Sequence, residues 1–408
     1  MKKYYLISEN VYLVDGKLKS CIYDLKKGML YHINHELSDF IKKYCTNFNI
    51  SLKPEEMQML IKLKNIGIEL HKNCEKKKED IAILNKKSNI EFAWIEVCTK
   101  CNLKCIHCYN ESDAMCTKEM SYDDFVIVVK QLEKMGVRKI QFIGGEPLII
   151  GEKLKKMIKY AYEKFDSIEV FTNGTIIDDS WIDLFLKFKV KVALSVYSYL
   201  ENEHEKVTQV NGSFNRTNLS IQKLKEKGIS YRVCNTIMNN VDIGNKDSDL
   251  YVLSYKKDIV RMSGRGNLNL LNDVLIKRKL ITKQNFLSPL NKKMVYKSLN
   301  QHNCFGSKIY VAADLTVYPC VMERRLIHGR INKDSEFKLE NDILSMNKDS
   351  IVGCKDCEFR YACFDCRPDA LTNNPIGKPW NCTYHPEKAC WDDIESSIKR
   401  ALALRENE

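Results

Sequence analysis

The 408-residue sequence contains no apolar run long enough to cross a membrane. Its first residues, Met1-Lys2-Lys3-Tyr4-Tyr5, lead into a broken polar pattern rather than the apolar stretch of a signal peptide. These absences argue against a spanning helix and against export, and they predict a cytoplasmic protein. Also missing is a compact Arg/Lys patch with interleaved aromatics. The net charge of +12 comes from lysines spread along the chain, so nucleic acid is not an expected partner, and no membrane is. What is abundant is cysteine. Seventeen cysteines in a large chain without export signals read as metal or cluster ligands, not as disulfides. At 44% hydrophobic, the chain is long enough for two or three domains with cores of their own.

Three cysteines fall in the run Cys101-Asn102-Leu103-Lys104-Cys105-Ile106-His107-Cys108-Tyr109. Iron–sulfur clusters are normally held by four thiolates, so a C-x3-C-x2-C loop with no fourth cysteine at matching spacing leaves one iron open for a ligand. A zinc site made by Cys101, Cys105, Cys108 and either His107 or Cys98 is the alternative, because zinc accepts any tetrahedral mixture of Cys and His. After a predicted strand, Lys139 to Ile143, comes Gly144-Gly145-Glu146-Pro147. Glycines at a strand end let backbone approach a ligand closely, and a carboxylate suits an ammonium.

The loop, with an aromatic directly after its last cysteine, resembles the signature of radical S-adenosylmethionine (SAM) enzymes, and the second motif resembles that family's GGEP. The resemblance implies a 4Fe-4S cluster on Cys101, Cys105 and Cys108. It also implies SAM contacts from Tyr109, Gly144, Gly145, Glu146 and Pro147, with Glu146 meeting the amino group. Between Ser88 and Met262 short apolar runs alternate with amphipathic helices, as βα units require. The expected strands are Ile90 to Val97, Lys139 to Ile143, Ile168 to Thr172, Val190 to Val196, Ser230 to Thr236 and Asp258 to Met262. The fold class is thus α/β, a partial (β/α)6 barrel, with ligands at the C-terminal strand ends. At those ends Thr172-Asn173-Gly174 matches the family's T-N-G turn. Asn173, Ser195 and Arg261 are carried over as further SAM contacts, with Ser263 beside Arg261. No catalytic side chain is singled out.

From Cys304 onward cysteines crowd together: Cys304, Cys320, Cys354, Cys357, Cys363, Cys366, Cys382 and Cys390. Paired C-x2-C units alone would suggest a zinc ribbon. Behind a radical SAM loop the pattern resembles the SPASM extension, whose seven cysteines hold two auxiliary 4Fe-4S clusters, three clusters in all. That resemblance places the outer cluster on Cys354, Cys357, Cys363 and Cys382, and the inner one on Cys304, Cys320 and Cys366. Leu315 stands where the family usually has Gly, and the stretch 266–303 supplies no fourth inner ligand. Either Cys390 fills that place or one iron stays open for a substrate thiolate.

The first 70 residues read as a hairpin, Val11 to Val14 and Lys17 to Tyr23 around a two-residue Asp15-Gly16 turn, then a strand Met29 to Ile33 and helices Glu36 to Tyr44 and Pro54 to Asn65. Strands followed by helices resemble the winged-helix leader-recognition domain of ribosomal-peptide maturases, where a leader peptide adds as a strand to a sheet edge. A winged helix that binds DNA or merely packs is the bland alternative. The expected order is a recognition domain (1–70), a charged linker (71–89), a radical SAM barrel (90–265), a bridging segment (266–303), a SPASM domain (304–390) and a C-terminal helix (391–408). As a whole the chain resembles radical SAM/SPASM maturases of Cys-rich peptides. The implied function is thioether formation from Cys sulfur to carbon on a precursor bound through its leader, with electrons from a donor such as flavodoxin or ferredoxin. Carbon–carbon crosslinking, sulfatase maturation and a non-catalytic zinc protein that binds nucleic acid are the alternatives.

Overall fold

The computed structural model describes residues 4–47, 49–72, 90–246, 249–256, 258–287, 289–371 and 373–407, so most of the charged linker expected at 71–89 lies outside the described residues. The chain forms two compact units, one from 1–87, 280–303 and 345–401, the other from 88–279, 304–344 and 402–408.

The first unit opens with an antiparallel sheet of four strands in sequential order, β1 (Tyr4–Ser8), β2 (Val11–Asp15), β3 (Lys19–Asp24) and β4 (Met29–Asn34). Helices α1 (His35–Thr46) and α2 (Pro54–Asn65) follow. Asn34 caps α1 by accepting from Leu37 N at 3.0 Å, a contribution of about 1 kcal/mol. Strand β1 was not expected from the sequence, and the hairpin turns at Lys17-Leu18 rather than at Asp15-Gly16, because Asp15 still pairs with Ser20 and Gly16 N donates to Lys19 O at 2.8 Å. Period-two alternation sorts the central strands into two cores. Val11, Leu13 and Ile22 meet Phe40, Ile41 and Leu63 of the helices, whereas Tyr12, Val14, Cys21 and Tyr23 meet Tyr296, Phe359, Tyr361 and Tyr384. The sheet is therefore buried on both faces. Its second face packs on the C-terminal cysteine-rich segment, where the hairpin is tied down at three points: Lys17 N donates to Asp356 O at 2.8 Å, Tyr23 Oη to Glu358 O at 2.7 Å, and the buried Arg360 Nη1 to Asp15 O at 2.6 Å, the same Nη1 also holding Cys357 O at 2.9 Å.

The second unit is built on an eight-stranded sheet. Strands β5 (Phe92–Cys98), β6 (Lys139–Gly144), β7 (Ser167–Thr172), β8 (Lys191–Ser195) and β9 (Tyr231–Cys234) run parallel in that order. Helices α3 (Tyr122–Lys134), α4 (Glu152–Tyr162), α5 (Asp179–Lys187), α6 (Glu201–Thr208) and α7 (Ser213–Glu226) connect them. On the other side of β5, β10 (Lys308–Val311) adds in parallel, then β11 (Thr316–Tyr318) and β12 (Gly329–Arg330) add antiparallel. The sequence reading needs correction at the sixth strand. Asp258 to Met262 contributes only one parallel bridge, Ile237 to Ile259, because Asp258 adopts a left-handed φ of 54° that interrupts extended pairing. Helix α3 starts as its sequence implies, Ser121 Oγ accepting from Asp124 N at 3.0 Å, and buries Phe125, Val128, Val129 and Leu132.

Candidate active site

The five parallel strands deliver their C-terminal ends to a cavity of about 330 Å³. A bulge at the end of β5, where the register shifts between Glu96 and Cys98, re-aims the chain into the cysteine loop. Cys101, Cys105, Cys108, Tyr109, Gly144, Gly145, Asn173, Ser195 and Arg261 all line the cavity. So the structure brings together nearly all the residues singled out for this region. Among the described residues Arg261 has no ion-pair partner, leaving a guanidinium at the wall for an anionic group.

Glu146 and Pro147 are the exceptions. Glu146, expected to meet an ammonium, is fully buried and does not line the cavity. Its carboxylate accepts from Leu148 N at 3.0 Å, Thr172 Oγ1 at 2.7 Å and Asn173 N at 2.7 Å, so it fixes the T-N-G turn. Burial raises its pKa to about 7 against those hydrogen bonds. Pro147 starts a buried 3-10 turn. The two glycines serve a close approach of backbone to backbone. A Cβ on Gly144 would sit 2.3 Å from Cys98 O, and one on Gly145 2.2 Å from Lys100 O. In return Gly145 N donates to Cys98 O and Glu146 N to Lys100 O, both at 2.8 Å, locking the cysteine loop to β6.

Asn173 reaches the same loop, its Nδ2 donating to Asn102 Oδ1 at 2.8 Å while Oδ1 accepts from Thr175 N at 2.9 Å. The sequence reading missed Arg265. Its Nε donates to Cys105 O at 2.9 Å, its Nη2 to Ser112 O at 2.8 Å, and its backbone N to Cys108 O at 3.0 Å. Gly264 lies so close to the loop that a Cβ would stand 2.4 Å from Tyr109 O. The only sequence signal was an Arg between two glycines just past the last expected strand. Tyr197 was missed as well. It lines the cavity beside Cys105 and packs its ring on His107 at 4.9 Å.

The donor chemistry fits a cationic cluster. Burial, with the Glu146 carboxyl nearby, pushes the Cys101 thiol far above its ordinary range, and burial with Cys108 pushes Cys105 to about 12. Thiols this reluctant to ionise are ionised by bound metal, whose charge inverts the local preference. Leu103 N already donates to Cys101 Sγ at 3.4 Å, as to a thiolate. Among the described residues no three His, Cys, Asp or Glu side chains converge on a single-ion site. Cys98 is turned away from the cavity, its thiol donating to Glu146 O at 3.4 Å.

In the first unit Cys354, Cys357, Cys363 and Cys382 lie near one another. Burial pushes the Cys357 and Cys363 thiols up, and nearby Cys354 adds to both, as Cys363 does to Cys357 and Cys382 to Cys363. Cys366 belongs to this unit, and Cys304 and Cys320 to the other. Met322 N donates to Cys320 Sγ at 3.5 Å. Cys390 is exposed and stands in a short hairpin, Tyr384–His385 with Cys390–Trp391.

Comparison with known proteins gives the same reading of the second unit. The model of the Radical SAM superfamily matches residues 95–247. The chain is 29% identical over 181 residues to the antilisterial bacteriocin subtilosin biosynthesis protein AlbA of Bacillus subtilis, covering 43% of this chain and 40% of that one. It is 29% identical over 144 residues to the sporulation killing factor maturation protein SkfB of the same organism, 35% of each chain, and 31% identical over 156 residues to a GTP 3',8-cyclase of Clostridium botulinum, 36% of this chain and 48% of that one. The chain thus spans between 35% and 48% of these relatives' lengths. Streptococcus suis SuiB bound to its precursor peptide SuiA superposes with a TM-score of 0.52 at 14% identity, over 91% of this chain and 98% of that one. A second solved structure, anSMEcpe with bound AdoMet, superposes with a TM-score of 0.50 at 18% identity, over 76% and 96%. At these identities the likeness is one of fold. The cysteine loop and the strand ends that face it fall in the part of the chain, residues 95–247, that the Radical SAM superfamily model matches.

Proposed function

We propose that the chain is a radical SAM enzyme that modifies a ribosomally made, Cys-rich precursor peptide, joining Cys sulfur to carbon as a thioether. The observation that carries this reading is one cavity lined at once by Cys101, Cys105, Cys108 and the guanidinium of Arg261, which has no ion-pair partner among the described residues. The three thiolates would hold a 4Fe-4S cluster that, with SAM and one electron from a flavodoxin- or ferredoxin-type donor, supplies a 5'-deoxyadenosyl radical.

The protein's own residues bind, orient and exclude water. Arg261 would take the SAM carboxylate, while Gly144 and Gly145 offer backbone at the cavity wall. Tyr109, Ser195 and Asn173 would border the remaining polar groups, and Glu146 would act through the T-N-G turn it fixes. Leu103, Phe171 and Ile259 give the cavity apolar wall that excludes water. An auxiliary cluster is proposed on Cys354, Cys357, Cys363 and Cys382. The thioether reading is supported by the Cys-rich-maturase resemblance of the tail and by relatives named for making a bacteriocin and a killing factor. Sheet order leaves β1 and β4 at the edges of the N-terminal sheet, and a leader peptide would add there as a further strand.

The test is anaerobic co-expression with a small Cys-rich peptide encoded beside this protein, read by mass spectrometry. Each thioether replaces one C–H and one S–H, so the expected product has lost two hydrogens per crosslink and one alkylatable thiol. Loss of hydrogens with every thiol still alkylatable overturns the thioether. A peptide of unchanged mass, together with undiminished 5'-deoxyadenosine in a protein lacking Cys101, Cys105 and Cys108, overturns the enzyme class.

A further inference from the structure

Beside Cys363 the first unit buries a charge cluster that the cysteine spacing does not explain. The Asp365 side chain, 1% exposed, is ion-paired to Lys348 and Arg367, whose side chains are 6% and 0% exposed. His302 Nε2 lies 3.9 Å from Asp365 Oδ1. Arg367 Nη1 also donates to Pro375 O at 3.2 Å and Gly377 O at 3.1 Å, which ties that guanidinium to backbone. Lys348 has a different second partner. Its Nζ donates to Cys363 Sγ at 3.8 Å.

Two buried cations share one carboxylate, so these three side chains carry one unit of positive charge between them. A buried charge is retained where something of opposite sign meets it. A neutral Cys363 thiol does not supply that charge. A Cys363 thiolate on an iron–sulfur cluster does, and the Lys348 ammonium already points at its sulfur. Hydrogen bonds to cluster sulfurs and nearby charge are among the protein's means of setting reduction potential.

We propose that Lys348, held by Asp365, is a positioning residue that raises the reduction potential of the cluster on Cys354, Cys357, Cys363 and Cys382 by donating to the Cys363 sulfur and placing a positive charge beside it. This rests on the reading that those four cysteines hold a cluster. A cation stabilises the reduced, more negative state more than the oxidised one, so the cluster takes up an electron more readily. The same geometry assigns Asp365 the opposite effect, since its carboxylate offsets part of that charge.

The experiment uses the full chain with Cys101, Cys105, Cys108, Cys304 and Cys320 replaced by Ala, so that the outer set alone can bind a cluster. It is reconstituted anaerobically with iron and sulfide and titrated with a chemical reductant, the midpoint being followed by electron paramagnetic resonance. Lys348→Gln, which keeps an N–H donor and loses the charge, should weaken electron uptake about tenfold, a shift of about 59 mV to more negative potential. Lys348→Arg should restore the parent value, and Asp365→Asn should shift the midpoint the other way. Iron and sulfide per chain should match the parent in all three. Midpoints that are unchanged, or that move in the same direction for Gln and Asn, overturn the proposal while leaving the cluster in place. A parent protein that binds no iron overturns the cluster reading and this proposal with it. Should Lys348→Gln fail to fold, the sign of the Asp365→Asn shift decides.

Discussion

Leu315 turns the chain between β10 and β11 with φ = 69°, a conformation that glycine adopts freely and a leucine adopts at a cost of about 1–2 kcal/mol. The side chain offsets that strain, because it is only 8% exposed and burial of a leucine contributes about 1.5–3 kcal/mol. The two terms are of similar size. Leu315→Gly should therefore change stability by less than about 1 kcal/mol, whereas Leu315→Ala, which loses the burial and keeps the strain, should cost about 2–3 kcal/mol. Thermal denaturation of the two variants checks the order, which is the reverse of that at an ordinary buried position. Glu146 supplies a second test. Its folded pKa of about 7 lies above the unfolded value near 4.5, so the folded state binds more protons between those values and stability falls as pH rises through that window. Glu146→Gln should abolish that part of the pH dependence. Denaturant titrations at pH 5 and pH 8 measure it, and an unchanged slope in the variant would refute the assignment.

Among the elements, the turn after Arg261 deserves its own experiment. Arg265 holds Cys105 O on the cysteine loop and Ser112 O just after it through its side chain, and its backbone N–H holds Cys108 O; neutral replacement leaves the first two carbonyls without that donor at about 1–3 kcal/mol each. Arg265→Ala should loosen the loop and lower iron retained on Cys101, Cys105 and Cys108, while Arg265→Lys, a single point donor, recovers only part of it. Iron assays after gel filtration give the ranking. Arg265 was hard to see in the sequence because its partners are backbone atoms 153 and 160 residues earlier, which leave no pattern of their own. The strand ends carrying Cys101, Gly144, Asn173 and Ser195 are legible, since each follows an apolar run and a turn signal within a few residues. The sixth strand was read from its apolar residues, and the left-handed backbone at Asp258 that interrupts it has no comparable mark. Glu146 illustrates a different limit: sequence gives the charge of a side chain at a strand end, not the direction in which it turns.

At the scale of the whole chain, residues far apart in sequence complete one core. Tyr12, Val14, Cys21, Tyr23 and Leu25 share it with Phe359, Tyr361 and Tyr384, and Cys357, Cys363 and Cys382 pack against it. Deletion of residues 1–70 should therefore do more than remove peptide recognition. Iron bound by Cys354, Cys357, Cys363 and Cys382 should be lost, while the second unit keeps SAM cleavage without a peptide. Iron per chain and 5'-deoxyadenosine, measured on the same truncated sample, separate the two outcomes. Full iron content after truncation would show that the cysteine-rich segment folds without the sheet.

The tie between Tyr23 and Glu358 spans 335 residues. At about 5–20 residues per second of synthesis, the first strands leave the ribosome tens of seconds before the segment that covers their second face. Throughout that interval the nascent chain carries Tyr12, Val14 and Tyr23 in water on a sheet of four strands, a surface suited to capture by chaperones. The cysteines 354–382 emerge onto a platform already made, so cluster insertion there is among the last events of the protein's assembly.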